Sequence, residues 1–491
     1  MSTWYQIVES GIVRIEAYKT PIDYARPDIV AKQDQSIGTG FFVPIQSNDA
    51  NWYAIITCAH VVSDTHADQL SIVFPKIGKK RFRSARIQCL CPEYDIAAIA
   101  MKIDDPYVRS VVTPLKLATN PVVSGDAVSA YGYPMGQPKL KYTEGTLSGF
   151  SDGLIQHSSA ISPGNSGGPL ICNGEVVGIN SSTVVGGGAT SVHFAVPIDL
   201  YRRLSKTLLA GEVKVVHPPK LGFCYHEVTE SMIQYQLRKI KGGGKESIHS
   251  GIHVHHLFDT SPLKKAGMQE GAIIVRVAWE TEPGRWSHDY PLDRYGEVLV
   301  EWNGNERVPV EHALARVPLG SHVRVTFIQD NDIKKIVTKP VDIRTGSFRI
   351  MTSPFETMPE YVIFAGICVM PLYSNHANNF PHTFLQLTPK DREKDLLVVT
   401  SILPGYESVP LQTGSIICSV NGVGTPDRPI RTIPDYRHAM QRPMDGYVSI
   451  TDTNLHTYIL DVETILAQEI TYRDRGLYVP DELILSKLMG T

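Results

Sequence analysis

Three fragments of this sequence carry residue types that could break a bond by nucleophilic attack: TCAHVV with His60, EYDIAAI with Asp95, and SPGNSGGP with Ser166. A serine hydroxyl is a weak nucleophile near neutral pH. It needs a base within hydrogen-bond reach, and that base needs an anion to fix its tautomer. His60, Asp95 and Ser166 offer those three parts, in that order along the chain. The glycines beside the serine have a physical reason in such a scheme. Gly164 permits the backbone angles of a tight loop, while Gly167 and Gly168 let a substrate backbone come close. The amides of Gly164 and Ser166, with Asn165 between them, would form an oxyanion hole.

Taken singly, each fragment has a structural explanation. A histidine after an apolar strand can be packed, an aspartate at a strand start is a common turn residue, and GNSGG can be a loop. Together and in order, each at the end or start of a strand, they favour the chemical reading. Gly164 to Gly168 also fits G-x-S-x-G, the elbow of the α/β-hydrolases. That elbow needs a helix after the serine and the order Ser, Asp, His. Here PLICNGEVVGI follows, with Pro169 and β-type residues, and both partners lie upstream. The elbow is excluded.

The elements that must position these residues read as strands. From Ile37 to Pro197 the chain is a series of short apolar runs separated by Gly, Pro, Asn and Asp, the pattern of an all-β barrel or sandwich. IDLYRRLSKTLLA then repeats Leu200, Leu204 and Leu208 at helical spacing, with Gly211 placed to stop the helix. EVKVVHPPK reads as a linker. Two mixed strand-and-helix units follow, each with an early apolar strand (GIHVHHLF; LLVVTSIL) and a later strand behind a glycine (EGAIIVRV; TGSIICSV), as in a diverged duplication. The expected division is 1–211, 218–345, 358–466 and a tail, 467–491, that docks on a domain or another subunit.

The fragments resemble the trypsin-like domain of the HtrA/Deg proteases. GTGFFV, TCAHVV, YDIAAI, GNSGGP and HFAVP match its opening strand, its three site motifs and the strand that closes its second barrel. Leu221, Gly222 and Phe223 look like the carboxylate-binding loop of a PDZ domain, and GIHVHHLFDTSPLKKAGMQEGAIIVRV like its core. YVIFAGICVMPL is similar to the second PDZ of plant-type, non-secreted Deg proteases. The resemblance implies an all-β chymotrypsin-like double β-barrel followed by two mixed α/β PDZ-like domains. It implies a serine endopeptidase acting on unfolded or damaged polypeptides without cofactor or metal, assembled as a homo-trimer or a multiple of trimers. Trp4, Tyr5 and Tyr18, which precede the barrel, would serve that assembly or simply cover the barrel. In such enzymes the residue six before the nucleophile lies at the base of the primary pocket. Here that is Ala160, beside Ile161, with Asn180, Ser181 and Ser182 on the facing strand. A departure is WETEPGRWSHDYPLDRYG in the first PDZ-like unit, where a short loop would be usual. The alternative function is a catalytically silent PDZ chaperone or scaffold.

Composition narrows the rest. A net charge of −3 gives no global field for nucleic acid or membrane, and the longest apolar stretch, Tyr361 to Met370, is too short for a bilayer. Seven scattered cysteines make no disulfide framework, and the N-terminus shows no secretory signal. The chain therefore reads as soluble and intracellular, cytoplasmic or nuclear. The basic run KIGKKRFR reads as a solvated strand rather than a nucleic-acid patch, and Cys89 and Cys91 as strand residues. His253 and His255 share one strand face and could ligate zinc, but no carboxylate or cysteine joins them at ligand spacing. No metal site is expected.

Overall fold

Alternation of apolar residues along short strands generates most of this fold. The computed structural model describes residues 2–490 apart from 30–31, 46–48, 50, 79, 152, 184–191, 211–214, 241–247, 302–305, 318–319, 343–357, 389–390, 392–393 and 407–408. The expected stop at Gly211 and the linker near 350 therefore lie outside the described residues.

After a helix, Ser2–Ser10, come β1 (Ile12–Lys19), β2 (Asp34–Val43), β3 (Trp52–Thr57), β4 (Thr65–Phe74), β5 (Lys80–Phe82), β6 (Arg86–Cys91) and β7 (Ile96–Lys102). They form one seven-stranded sheet in the order β5-β4-β1-β2-β3-β7-β6. Phe41, Phe42, Ile55, Ile56, Ile72 and Ile99 fill its interior without solvent exposure. A second set follows: β8 (Ala127–Gly132), β9 (Lys141–Ser151), β10 (Leu154–His157), β11 (Pro169–Cys172), β12 (Glu175–Thr183) and β13 (His193–Pro197). These six close into a barrel, β10-β13-β12-β11-β8-β9. The helix Ile198–Ala210 buries Leu200, Leu204 and Leu208 as its spacing requires.

Three residues of the basic run are paired: Lys76 with Glu9, Lys80 with Asp105 and Arg81 with Glu16. Cys89 and Cys91 are buried in β6, and all seven cysteines are free. No helix among the described residues is long and apolar enough to cross a membrane. Tyr5 has an internal role that the sequence hid. Its hydroxyl donates to the Leu140 carbonyl at 3.1 Å and its ring meets Tyr142. Tyr18 is exposed, and the side chain of Trp4 lies outside the described residues.

His157 carries a price for the second barrel. It is fully buried, faces His193 across β10 and β13, and its pKa falls to about 4, through burial first and His193 second. The unfolded chain therefore binds a proton near pH 6.5 that the fold refuses until about pH 4. Stability present above pH 6.5 drains away as pH falls through that window, by about 3 kcal/mol in all. Chemical denaturation at pH 7 and pH 4.5 should show that loss in the native chain and a smaller one in His157→Leu. Equal losses in both would remove His157 as the cause.

The chain divides into two units, Met1–Lys19 with Gln33–Gly346, and Thr20–Lys32 with Ser347–Thr491. The first mixed unit is grouped with the two strand sets before it, and a short stretch between β1 and β2 with the C-terminal unit. Within the first unit an antiparallel sheet runs in the order Phe223–Glu227, Ile252–Leu257, Ile273–Glu282, Val323–Gln329, Asp332–Thr338. The expected insert is not a free loop: Arg285–Trp286 and Tyr290–Pro291 pair back onto Ile273–Glu282.

The C-terminal unit holds two three-stranded sheets, Val362–Phe364, Ile367–Pro371 and Leu397–Ile402, then Ile417–Val420, Tyr447–Asp452 and Thr457–Asp461. Tyr24 packs there against Tyr373 and His376, and His376 Nε2 lies 3.1 Å from the Tyr24 carbonyl oxygen. The tail docks on this same unit. Its helix Val462–Asp474 runs across the expected boundary at 466. Glu469 on that helix is fully buried. It accepts from the Ala365 amide at 2.9 Å and from the Tyr478 hydroxyl at 2.6 Å.

Candidate active site

Each of the three candidate groups sits where a strand gives way to a turn. β3 ends at Thr57, and the short helix Ala59–Val62 carries His60, whose side chain is half-exposed. Asp95 closes a single helical turn, Pro92–Tyr94, just before β7, with φ of 53°. A short polar side chain tolerates that left-handed region better than most. Its Oδ1 accepts from the His60 backbone N–H at 2.9 Å. Its Oδ2 lies 2.8 Å from His60 Nδ1 and accepts from the Ser181 hydroxyl at 2.6 Å. Burial pushes the Asp95 carboxyl up. The hydrogen bonds from His60 and Ser181, with the His60 charge, outweigh burial and hold it below the usual carboxylate range. It is an anion at neutral pH, able to orient the imidazole and stabilise its protonated form.

Ser166 lies in the loop between β10 and β11. SPGN builds the turn that presents it. Pro163 sets the first central position, and Gly164 at φ of +99° takes the second, with Asn165 N donating to Ser162 O at 2.9 Å. That is a type II turn, which needs glycine at this place. The Pro163 carbonyl is held outward by Met135 N at 2.6 Å. Thr39 ties the loop down. Its hydroxyl donates to the Gly164 carbonyl at 2.6 Å, and its amide donates to the Ser166 carbonyl at 2.9 Å. Gly167 and Gly168 bond to Asn180 and Asn165. Among the described residues, the N–H groups of Gly164 and Ser166 have no protein acceptor, which leaves two donors flanking Asn165. Asn165 itself spends its amide on the turn, and its side chain is buried.

The Ser166 hydroxyl donates to the Ser181 carbonyl oxygen at 3.1 Å rather than to His60. Such bonds are often loose without substrate and tighten in the complex.

The pocket residues separate. Ala160 is exposed, its carbonyl accepting from the Thr143 hydroxyl at 2.7 Å, and Ile161 is buried. Asn180 is fully buried, with Nδ2 donating to the Pro169 carbonyl at 3.2 Å, so its side chain braces the loop. Ser181 serves Asp95. Ser182 lies on β12 opposite Phe194, its side chain outside the described residues. Sequence reasoning missed the bracing role of Thr39 and the Ser181 bond to Asp95.

Behind the site, the buried Cys58 thiol lies 3.2 Å from the Asn180 carbonyl. Burial, then Asp95, push its pKa well above the ordinary thiol value, so it stays protonated and is no rival nucleophile. Lys19 donates to the His60 carbonyl oxygen. In the first mixed sheet, Leu221 and Phe223 are core residues, and Gly222 between them has φ of +66° and accepts from the Phe258 amide.

Residues 38–179 match the family model described as a trypsin-like peptidase domain. The chain is 32% identical over 344 residues to a probable periplasmic serine endoprotease DegP-like of Hahella chejuensis, covering 65% of this chain and 66% of that one. It is 32% identical over 253 residues to the putative serine protease HhoA of Synechocystis, covering 49% and 59%. The chain belongs to the HtrA/Deg family of serine proteases. Another family member, the chloroplastic protease Do-like 2 of Arabidopsis thaliana, is 23% identical over 92% of this chain and 71% of its own length. Among solved structures, the HtrA-type protease AlgW with a decapeptide aligns with 18% identity and a TM-score of 0.46 over 69% of this chain and 98% of that one. The chain thus spans about 59–71% of the HtrA/Deg relatives named here.

Proposed function

We propose that this HtrA/Deg chain is a serine endopeptidase that cuts unfolded or damaged polypeptides with Ser166 as nucleophile, His60 as base and Asp95 as orienting anion. The observation that carries it is the Asp95–His60 contact of 2.8 Å beside a serine whose own N–H and that of Gly164 have no acceptor among the described residues. In the reaction, His60 Nε2 takes the Ser166 proton as Oγ bonds to the scissile carbonyl carbon. The carbonyl oxygen becomes an anion held by the Gly164 and Ser166 amides. His60 then gives its proton to the leaving amine as the C–N bond breaks. Water, activated by the same imidazole, releases the acyl group. A fluorophosphonate probe tests the nucleophile: it should label the native chain once, at Ser166. Labelling at another residue removes the assignment.

The sheets within 218–345 and 358–466 are read as PDZ-like modules that bind substrate ends or support assembly. Leu221, Gly222 and Phe223 would form the carboxylate loop of the first. A homo-trimer or a multiple of trimers belongs to the same reading, and exposed Tyr18 is available to it. Seven free cysteines fit a reducing, intracellular compartment.

Primary specificity follows from Ala160 and Ile161, which place no carboxylate at the pocket. A Lys or Arg side chain there would lose its hydration without a partner, at a cost of several kcal/mol. An aliphatic side chain would gain about 1.5–3 kcal/mol. Mass spectrometry of an unfolded substrate should find cuts after Val, Ile, Leu or Ala. A majority of cuts after basic residues would refute the pocket and leave the Ser166 mechanism standing.

A further inference from the structure

The helix Ile198–Ala210 carries Asp199, Arg202 and Arg203, three and four positions apart, so they share one face. A third arginine meets them from outside that helix. Arg316, which caps the C-terminal end of the helix Val310–Ala315, is only 2% exposed. Its Nε lies 2.8 Å from Asp199 Oδ2, and Arg203 Nε lies 3.9 Å from the same oxygen. Arg202 Nη1 donates to the Ala118 carbonyl oxygen at 3.2 Å. All four side chains border one cavity of about 200 Å³. A water molecule in the liquid takes about 30 Å³, so the cavity has room for several, or for a small organic molecule. Much of the remaining lining is apolar, with Phe150, Ile155, Val177 and Pro197, and Thr119 and Asn120 add exposed polar groups.

We infer that this cavity binds a small organic phosphate, a phosphate monoester by chemical class, through Arg202, Arg203 and Arg316. Among the described residues its charged lining is three guanidinium groups and one carboxylate, which leaves an excess of two positive charges. A phosphate monoester carries about −1.5 to −2 near pH 7 and matches that excess, whereas a carboxylate would balance half of it. Guanidinium presents its donors as a planar fork that fits phosphate oxygens. Burial lowers the pKa of Arg203; Asp199 opposes that shift, and the charges of Arg316 and Arg202 add to it. The arginines therefore repel one another, and a second anion beside Asp199 relieves the repulsion. The lining also takes in the first helical turn at Ile198 and Asp199, where the helix dipole favours negative charge. Phe150 and Ile155 offer apolar surface to the organic part, which the free phosphate ion would leave unused. A ligand held by all three arginines ties the helix Ile198–Ala210 to the unit that carries Arg316.

Calorimetric titration of the full chain with phenyl phosphate, inorganic phosphate and benzoate in turn reads this cavity without any activity. The expected result is one phenyl phosphate per chain, bound more tightly than inorganic phosphate and about tenfold or more tighter than benzoate. Arg202 is exposed and Arg203 half-buried, so both can be replaced in a folded chain. Arg202→Gln and Arg203→Gln should each weaken phenyl phosphate binding by about tenfold or more, with unchanged circular dichroism. Arg238→Gln removes an exposed charge from another helix, Glu230–Lys239, and should bind as the native chain does. The inference fails if the native chain takes up no phenyl phosphate, or if benzoate binds equally well. It fails if the two cavity substitutions leave affinity unchanged, or if Arg238→Gln weakens binding as much as they do. Equal affinity for inorganic phosphate would overturn the organic part of the assignment.

Discussion

Ser166→Ala is expected to leave a folded chain that no longer cleaves an unfolded casein-like substrate. The substitution removes one oxygen, which among the described residues bonds to the Ser181 carbonyl, so thermal stability should stay within about 0.5–1.5 kcal/mol of the native chain. Asp95→Asn should cost about 10⁴ in turnover, because the amide no longer fixes the tautomer or balances the imidazolium. His60→Ala should cost several orders of magnitude as well, since the base itself is lost. Ser181→Ala adds a graded member to the series. It frees Oδ2 of a bond 2.6 Å long, which loosens the carboxylate that orients His60, and should lower turnover by less than Asp95→Asn does. Full activity in Ser166→Ala would overturn the mechanism. Unchanged turnover in Ser181→Ala would overturn only the role given to that hydroxyl.

Gly164→Ala should be nearly as damaging, by a separate route. A Cβ at Gly164 would lie 2.4 Å from the Tyr133 carbonyl oxygen and 3.1 Å from Met135 N, with the backbone at φ of +99°. Neither neighbour is a flexible side chain, so the turn itself must change. Turning over the Pro163–Gly164 peptide relieves the clash and points the amide away from the hole. Loss of one oxyanion donor costs about 10²–10³ in kcat. The expected signature is a fall in kcat with KM little changed and the fluorophosphonate still reacting, more slowly, at Ser166. A rise in KM alone would show that the glycine serves substrate approach instead.

The three groups of the site were legible because each motif states a local requirement. A turn glycine, a strand end and a left-handed aspartate are properties of a few residues in a row. The pocket was less legible because it depends on register. Asn180 and Ser181 are neighbours in sequence, but successive residues of a strand face opposite ways. One therefore braces the serine loop from inside the barrel, and the other reaches Asp95. A shift in the β12–β13 pairing between Asn180 and Ser182 complicates the alternation further. Tyr5 read as unoccupied because its partners, Leu140 and Tyr142, come from the other barrel.

Thr20–Lys32 has a consequence for how the polypeptide is made. The C-terminal unit draws on residues from near the start of the chain, and Tyr24 meets His376 from 352 positions away. On a ribosome adding about 5–20 residues per second, Tyr24 leaves the tunnel roughly 20–70 s before its partner exists. During that interval the strands on either side, β1 and β2, can already pair, holding the segment between them as a preformed bow. Vectorial synthesis thus imposes an order: the bow is set first, and the C-terminal unit closes on it last. A break in the backbone within 20–32 would leave that piece held at one end only.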